Sequence, residues 1–250
     1  NSKQLLKNLI NIPKTIHLLP DATIGAEMID SKKIENNLFQ EGIRISENKN
    51  TIAIGLRDLS VVLPSNQAEE SWKQIAGYMN LLKDQASFLF IPQSTYKEDD
   101  DRLTAKRFIP LLDTSVEYHI IQNRYDPREL IGFYSVCDLT IAIRLHAAVF
   151  STIAGTPVIA VNYLPKVEGF MKGIDADYNL IQVDNIKAEY LMNLTKNNME
   201  EKEKISKKIR KKIKIKVSKM NDKLLELTSK AVMSIRQIGE TARQINWNIS

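Results

Sequence analysis

Arg57, Arg144, Lys166 and His146 each stand just beyond, or at the end of, an apolar β-rich run of the sequence. A guanidinium binds phosphate or carboxylate through paired N–H bonds, and an imidazole titrates near neutral pH. Together the four suit a small, multiply charged anion with a proton transfer beside it. The tightest grouping is Arg144-Leu145-His146, inside the most apolar stretch of the chain, residues 141–161. A histidine in such a stretch is ordinarily a hydrogen-bonded core residue. The arginine changes that balance, because a charge inside an apolar run needs a partner, and no acidic residue occurs between Asp138 and Glu168. An anionic ligand is the expected partner.

The elements that must position these groups follow from the pattern. Apolar β-rich runs recur at residues 51–56, 87–91, 116–121, 138–143, 157–161 and 179–183. Segments of helical length and spacing lie between them, at 67–84, 100–112, 127–135 and 145–154. Near-continuous apolar strands alternating with helices predict an α/β fold, a Rossmann-like parallel sheet with helices on both faces. In such a sheet ligands gather beyond the carboxyl ends of the strands, where helix N-termini add free N–H groups. Residues 141–161 are long enough to suggest a membrane span, but they contain Arg144, His146 and a Gly155-Thr156-Pro157 break. An arginine at a bilayer centre costs about 2.5–3.5 kcal/mol even on an insertion scale. The stretch reads as strand, helix and strand.

Residues 15–19 look like one more strand, and the polar stretch 30–50 reads as a linker. The expected division is therefore a remnant of a preceding domain and linker over 1–50, a ligand-binding Rossmann-like domain over 51–198 and a basic amphipathic helical segment over 199–250. The first residue is Asn1 rather than Met, which suggests that residues precede it. Apolar residues from Ile205 through Ile209, Ile213, Val217, Met220, Leu224, Leu227, Ala231 and Ile235 to Ile238 keep the 3.6-residue repeat, so a long amphipathic helix, broken at most once, closes the chain.

The net charge of +5 is uneven. Residues 196–219 hold eleven basic residues against Glu200, Glu201 and Glu203, a local +8, which leaves −3 for the rest. A generally nucleic-acid-binding surface is therefore not supported, and no aromatics interleave with the lysines. The run from Lys202 to Lys219 is a solvated helix face or a patch for anionic lipid head groups. Cys137 is the sole cysteine and has no nearby histidine or second thiol, so neither a disulfide nor a catalytic or metal-binding thiol is expected, and a reducing cytoplasm is the default. Asp99-Asp100-Asp101 suits a helix's first turn better than magnesium. No zinc spacing, Gly-rich phosphate loop or GxGxxG occurs, and no metal or cofactor is expected. His17 and His119 sit in strand-like patterns and read as structural.

The segments 138–150 (DLTIAIRLHAAVF), 154–160 (AGTPVIA) and 163–170 (YLPKVEGF) resemble the polysaccharide pyruvyl transferase family. Residues 52–57 are similar to that family's strand ending in arginine, and Pro20-Asp21-Ala22 to the end of its first domain. The resemblance implies two Rossmann-like domains in a GT-B-like arrangement, with most of the first outside this sequence. It also implies transfer of a pyruvyl group from phosphoenolpyruvate to two hydroxyls of a saccharide as a cyclic ketal, in cell-envelope or exopolysaccharide synthesis. Arg144, Leu145 and His146 would contact phosphoenolpyruvate with help from Arg57 and Lys166, and His146 would act as acid or base. Gln93, Asn162 and Tyr163 would orient the acceptor, which in such systems is often lipid-linked. Peripheral contact with the inner membrane face then becomes reasonable for the basic segment.

Blander roles stand beside these. Arg57 could pair with adjacent Asp58 or lie at the surface, Lys166 could be a solvated first-turn residue, and Asn162 and Tyr163 could merely close a loop. Isoleucine at 143, where many relatives carry a small or polar residue, either ends the buried strand or narrows a pocket. A nucleotide-sugar glycosyltransferase shares the architecture, and a non-catalytic binding module lacking its first domain is a third reading.

Overall fold

The computed structural model describes residues 20–247, with side chains to residue 230. The strand expected over 15–19, and His17 with it, lie outside the described residues. In chain order the helices are α1 Ser31–Gln40, α2 Ser65–Leu81, α3 Asp101–Phe108, α4 Pro127–Ser135, α5 Leu145–Ala154, α6 Pro165–Gly173, α7 Ala188–Glu200 and α8 Lys202–Trp247. The strands are β1 Asn50–Gly55, β2 Ala86–Phe90, the two-residue β3 Thr95–Tyr96 and β4 Asp99–Asp100, then β5 Tyr118–Ile120, β6 Leu139–Ala142, β7 Val158–Asn162 and β8 Leu180–Gln182. The expected strands and helices between residues 51 and 183 are all present, with ends shifted by a few residues at most.

Six strands pair in parallel in the order β5-β2-β1-β6-β7-β8, and β3 and β4 form a separate antiparallel hairpin. Chain order runs outward from β1 to one edge, then returns and runs outward from β6 to the other. The switch point therefore lies between β1 and β6.

Side-chain alternation divides the core. Ile52, Ile54, Phe88, Phe90, Ile141, Ile159 and Val161 point to one face, where Ile75 and Met79 of α2, Phe108 of α3 and Leu191 of α7 cover them. Burying an aliphatic or aromatic side chain of this size contributes about 1.5–3 kcal/mol. The small residues Ala53, Gly55, Ala142 and Ala160 face the other way, and so does Thr140, whose Oγ1 accepts a 2.8 Å bond from Ser151 Oγ on α5. Small residues on this face let α5 approach the sheet closely. The full burial of Ile143 makes it the end of the buried strand rather than the wall of a pocket.

Helix ends follow local chemistry. Asp126 accepts from the backbone N–H groups of Arg128 and Glu129, Glu129 accepts from Asp126 N, and Pro127 supplies a pre-set φ at the start of α4. Helix α5 stops at Gly155, φ +83°, where a side chain would also collide with Arg210.

The stretch 30–50 is not a linker. Asp30 N-caps α1 through Lys33 N, and Ile34 packs so closely over Gly132 of α4 that a Cβ there would lie 2.8 Å from Ile34 Cγ1. One compact unit, Thr23–Ile213, accordingly runs across residues 50 and 198, and the other takes in the chain from Lys214 onward. The basic C-terminal segment is helical as expected, with its break at Glu201, the C-cap of α7. Within the first unit Ile205, Ile209 and Ile213 of α8 are buried. Within the second, Lys223 and Lys230 pair with Glu226. Among the described residues no helix is long and apolar enough to cross a membrane, and residues 141–161 are strand, helix and strand.

Candidate functional site

Arg57 and Arg144 flank the switch point. Gly55, the last residue of β1, accepts the N–H groups of Ile143 (2.9 Å) and Arg144 (3.1 Å) at its carbonyl, which ties the end of β6 to the end of β1. Glycine is needed there because a Cβ would lie 2.3 Å from Ala147 Cβ in the first turn of α5. Arg144 is the N-cap of α5, and among the described residues no side chain caps that end. The N-terminal N–H groups of α5 thus open at the rim of the sheet beside His146, which is exposed and whose ring lies 5.9 Å from that of Phe150.

Arg144 does not wait for a ligand to be neutralised. Its Nε donates to both Asp101 oxygens (3.1 and 3.2 Å), and its Nη2 donates to Asp101 Oδ1 (2.6 Å) and Asp99 Oδ1 (2.7 Å). The absence of nearby acidic residues in the sequence was therefore no guide, since the carboxylates arrive from the segment after β2. Asp101 opens α3 behind the N-cap Asp100, so the acidic run does start a helix, while its third carboxylate also serves the arginine. The side chain of Asp101 is 3% exposed and that of Arg144 12%, whereas Asp99 is 39% exposed. Burial pushes the Asp101 carboxyl up, against the pull of the Arg144 bonds and the N–H groups of Ser94 and Gln93. The hydrogen bond from Arg144 holds Asp99 below the usual carboxylate range. Burial opposes the charge of Arg144, but Asp99 and Asp101 outweigh it and keep the guanidinium above its ordinary value.

Arg57 does not pair with Asp58. Its Nη1 donates to Tyr163 Oη at 3.0 Å, and its Nε is buried with no hydrogen-bond partner among the described residues. Asp58 instead caps the turn Leu59–Val61 through Ser60 N and accepts from Arg107 Nη2 at 2.6 Å. Tyr163 thus does more than close a loop, because it fixes the arginine at the end of β1 against the loop after β7. Asn162 donates to Gln182 Oε1 (3.0 Å), while its own Oδ1 is buried without a partner among the described residues. Gln93 turns inward and donates to Tyr134 Oη (2.9 Å) and the Ile91 carbonyl (3.2 Å), leaving Oε1 buried and, among the described residues, unpartnered. Lys166 is exposed in the first turn of α6 and makes no hydrogen bond or ion pair among the described residues. Leu145 is the first residue of α5.

The sheet edge thus gathers Arg57, Arg144, His146 and Tyr163 around an uncapped helix N-terminus. Three of the expected residues, Arg57, Gln93 and Asn162, each keep near a strand end a buried polar atom without a partner among the described residues. The sequence reading missed Asp99 and Asp101 as partners of Arg144. It also missed a cleft of about 480 Å³ beside them, lined among others by Asp58, Lys97, Asp99, Leu103 and Arg107. Cys137 is buried, which pushes its thiol up and leaves it unreactive. No cluster of three or more metal-ligating side chains occurs among the described residues.

A model of the polysaccharide pyruvyl transferase family matches residues 1–165, which takes in every expected site residue except Lys166. The amylovoran biosynthesis protein AmsJ of Erwinia amylovora is 36% identical over 73 residues, which are 29% of this chain and 18% of AmsJ. Among solved structures, Alr3699/HepE of Anabaena in complex with UDP and glucose is similar with a TM-score of 0.50 at 18% identity, over 86% of this chain and 56% of that one. A structure described for EarP-mediated arginine glycosylation of translation elongation factor EF-P is similar with a TM-score of 0.51 at 12% identity, over 80% of this chain and 68% of that one. The parallel sheet with its flanking helices resembles the GT-B glycosyltransferases.

Proposed function

This chain belongs to the polysaccharide pyruvyl transferase family, a family of transferases acting on polysaccharide, and on that premise we propose that it transfers pyruvyl from phosphoenolpyruvate to a saccharide as a ketal. One observation carries the reading. An exposed imidazole, His146, stands in the first turn of an uncapped helix, two residues from Arg144 and next to the switch point that Arg57 flanks. A phosphate or carboxylate at that rim would meet helix N–H groups and guanidinium donors together.

The chemistry then divides among named groups. The N-terminal N–H groups of α5, Arg57 and Arg144 bind the donor's phosphate and carboxylate, and Lys166 adds an exposed positive charge. His146 as imidazolium gives a proton to the methylene carbon, which becomes a methyl group, and the adjoining carbon takes on oxocarbenium character. One saccharide hydroxyl adds to that carbon, and its proton returns to His146. The C–O bond to phosphate breaks as a second hydroxyl adds, and the second hydroxyl's proton leaves with the phosphate. Asn162 and Tyr163 lie at the end of β7, where they can orient the acceptor. The acceptor is a saccharide, lipid-linked or polymer-bound, and the basic face of α8 meets the membrane that carries it. Gln93 donates to Tyr134 Oη and keeps Oε1 without a partner among the described residues, so it stays beside the other two as a candidate for orienting the acceptor.

The test is phosphate release from phosphoenolpyruvate with saccharide acceptors, for the wild-type chain and for His146→Gln and Arg57→Ala. Loss of general acid–base catalysis should lower turnover by about 10²-fold or more in His146→Gln with little change in donor affinity. Normal turnover in that variant would remove the histidine from the mechanism. Binding of a UDP-sugar with none of phosphoenolpyruvate would favour a glycosyltransferase, the other activity this architecture accommodates.

A further inference from the structure

The two carboxylates on Arg144 differ in kind. Asp101 is built in: it is almost fully buried, and its Oδ2 also accepts the backbone N–H groups of Gln93 (2.9 Å) and Ser94 (3.0 Å). Asp99 belongs to the short β3–β4 hairpin, is 39% exposed, and has Arg144 as the sole hydrogen-bond partner of its carboxylate among the described residues. Arg144 itself uses only Nε and Nη2, so Nη1 makes no hydrogen bond among the described residues.

Arg144 with two ionised carboxylates sums to −1, so this triad offsets the attraction that nearby Arg57 exerts on a multiply charged anion. With Asp101 alone the cluster is neutral and the guanidinium N–H groups not held by Asp101 are free to bind. We propose that Asp99 is an exchangeable counterion, displaced from Arg144 by the incoming anion while Asp101 stays and keeps the guanidinium aimed. The displaced carboxylate has somewhere to go. Asp99 already lines the cleft of about 480 Å³ together with Lys97, which makes no ion pair or hydrogen bond among the described residues. Asp99 is then a specificity-determining residue, because only an anion that outcompetes an aspartate carboxylate for Arg144 is admitted. Asp101 is a positioning residue. The inference rests on the reading of the switch-point rim as an anion site, though not on the identity of the donor.

Isothermal titration calorimetry on the full chain tests it, with phosphoenolpyruvate, pyruvate and inorganic phosphate as separate probes. Asp99→Asn keeps the shape of the side chain and removes the competing charge, so the anion that binds wild type should bind about three- to tenfold tighter. Glu98→Gln removes one charge from the same hairpin without touching Arg144, and should change affinity less than twofold. Equal affinity in wild type and Asp99→Asn, an equal gain in Glu98→Gln, or no anion binding to any of the three proteins overturns the exchange. If Asp99→Asn tightens phosphate or pyruvate while phosphoenolpyruvate is never turned over with any saccharide, the exchange stands and the pyruvyl donor falls. If phosphoenolpyruvate is turned over and Asp99→Asn leaves its affinity unchanged, the donor stands and the exchange falls.

Discussion

Asp101 holds Arg144 side-on, with one carboxylate oxygen 2.6 Å from Nη2 and 3.1 Å from Nε, across 43 residues of sequence. Both side chains are largely removed from water, so each is the other's condition for being charged there. The pair fixes the guanidinium at the N-terminus of α5 before any substrate arrives.

Removing the arginine therefore costs more than a ligand contact. Arg144→Ala leaves Asp101 buried beside two N–H donors but without its cation, and stability should fall by about 3–5 kcal/mol. The double variant Arg144→Met with Asp101→Asn should recover much of that loss, since neither charge is then stranded. Urea denaturation of the three proteins checks this, and a loss below about 1 kcal/mol in Arg144→Ala would show the pair to be solvated in solution. A fall in activity for Arg144→Ala reports on donor binding only after this loss of stability is separated from it.

Gly55 carries a second, purely steric prediction. An alanine there would put Cβ 2.3 Å from Ala147 Cβ, and both atoms are attached to rigid elements, the end of β1 and the first turn of α5. Relief requires α5 to move off the sheet, at about 1–3 kcal/mol of overpacking. The same movement breaks the alignment of Arg57 with Arg144 and His146, so Gly55→Ala should lose donor affinity as well as melting temperature. Differential scanning calorimetry and donor titration together check it, and unchanged values in both would mean that the close approach is absent in solution.

What the sequence made legible follows from which signals are local. The six strands are nearly all apolar over four to six residues, or bounded by clear turn chemistry, and α4 and α5 begin and end where Pro127, Arg144 and Gly155 dictate. Helix α1 was obscured because it buries little more than Ile34 and Leu38 on an otherwise polar segment, and that narrow stripe gains its meaning only from α4. The rim of Arg57, Arg144, His146 and Tyr163 was readable from strand ends once a parallel sheet was inferred. The Asp99 and Asp101 contacts were not, because adjacency along the chain is a poor guide to which carboxylate a buried arginine meets. The contact of Gln93 was hidden for the same reason: a residue just past a strand end can turn inward, and Tyr134 Oη receives its amide N–H.

The basic face of α8 gives the last prediction. Several of its lysines are already engaged within the compact unit: Lys202 with Asp138, Lys204 with Glu201, Lys212 with Asp175 and Lys208 with the Asp175 carbonyl. Lys207 and Lys211 are exposed, make no ion pair among the described residues and stand four residues apart on one face, opposite the buried Ile205, Ile209 and Ile213. Each lysine near an anionic bilayer is worth about 1 kcal/mol. The chain should therefore sediment with vesicles containing anionic phospholipid at low salt and be released at high salt, and replacing both Lys207 and Lys211 by Ala should weaken partitioning about thirtyfold at low salt. Failure of the wild-type chain to sediment at low salt would leave the lysines as a solvated helix face, and an unchanged partition in the double variant would move the contact to another part of the surface.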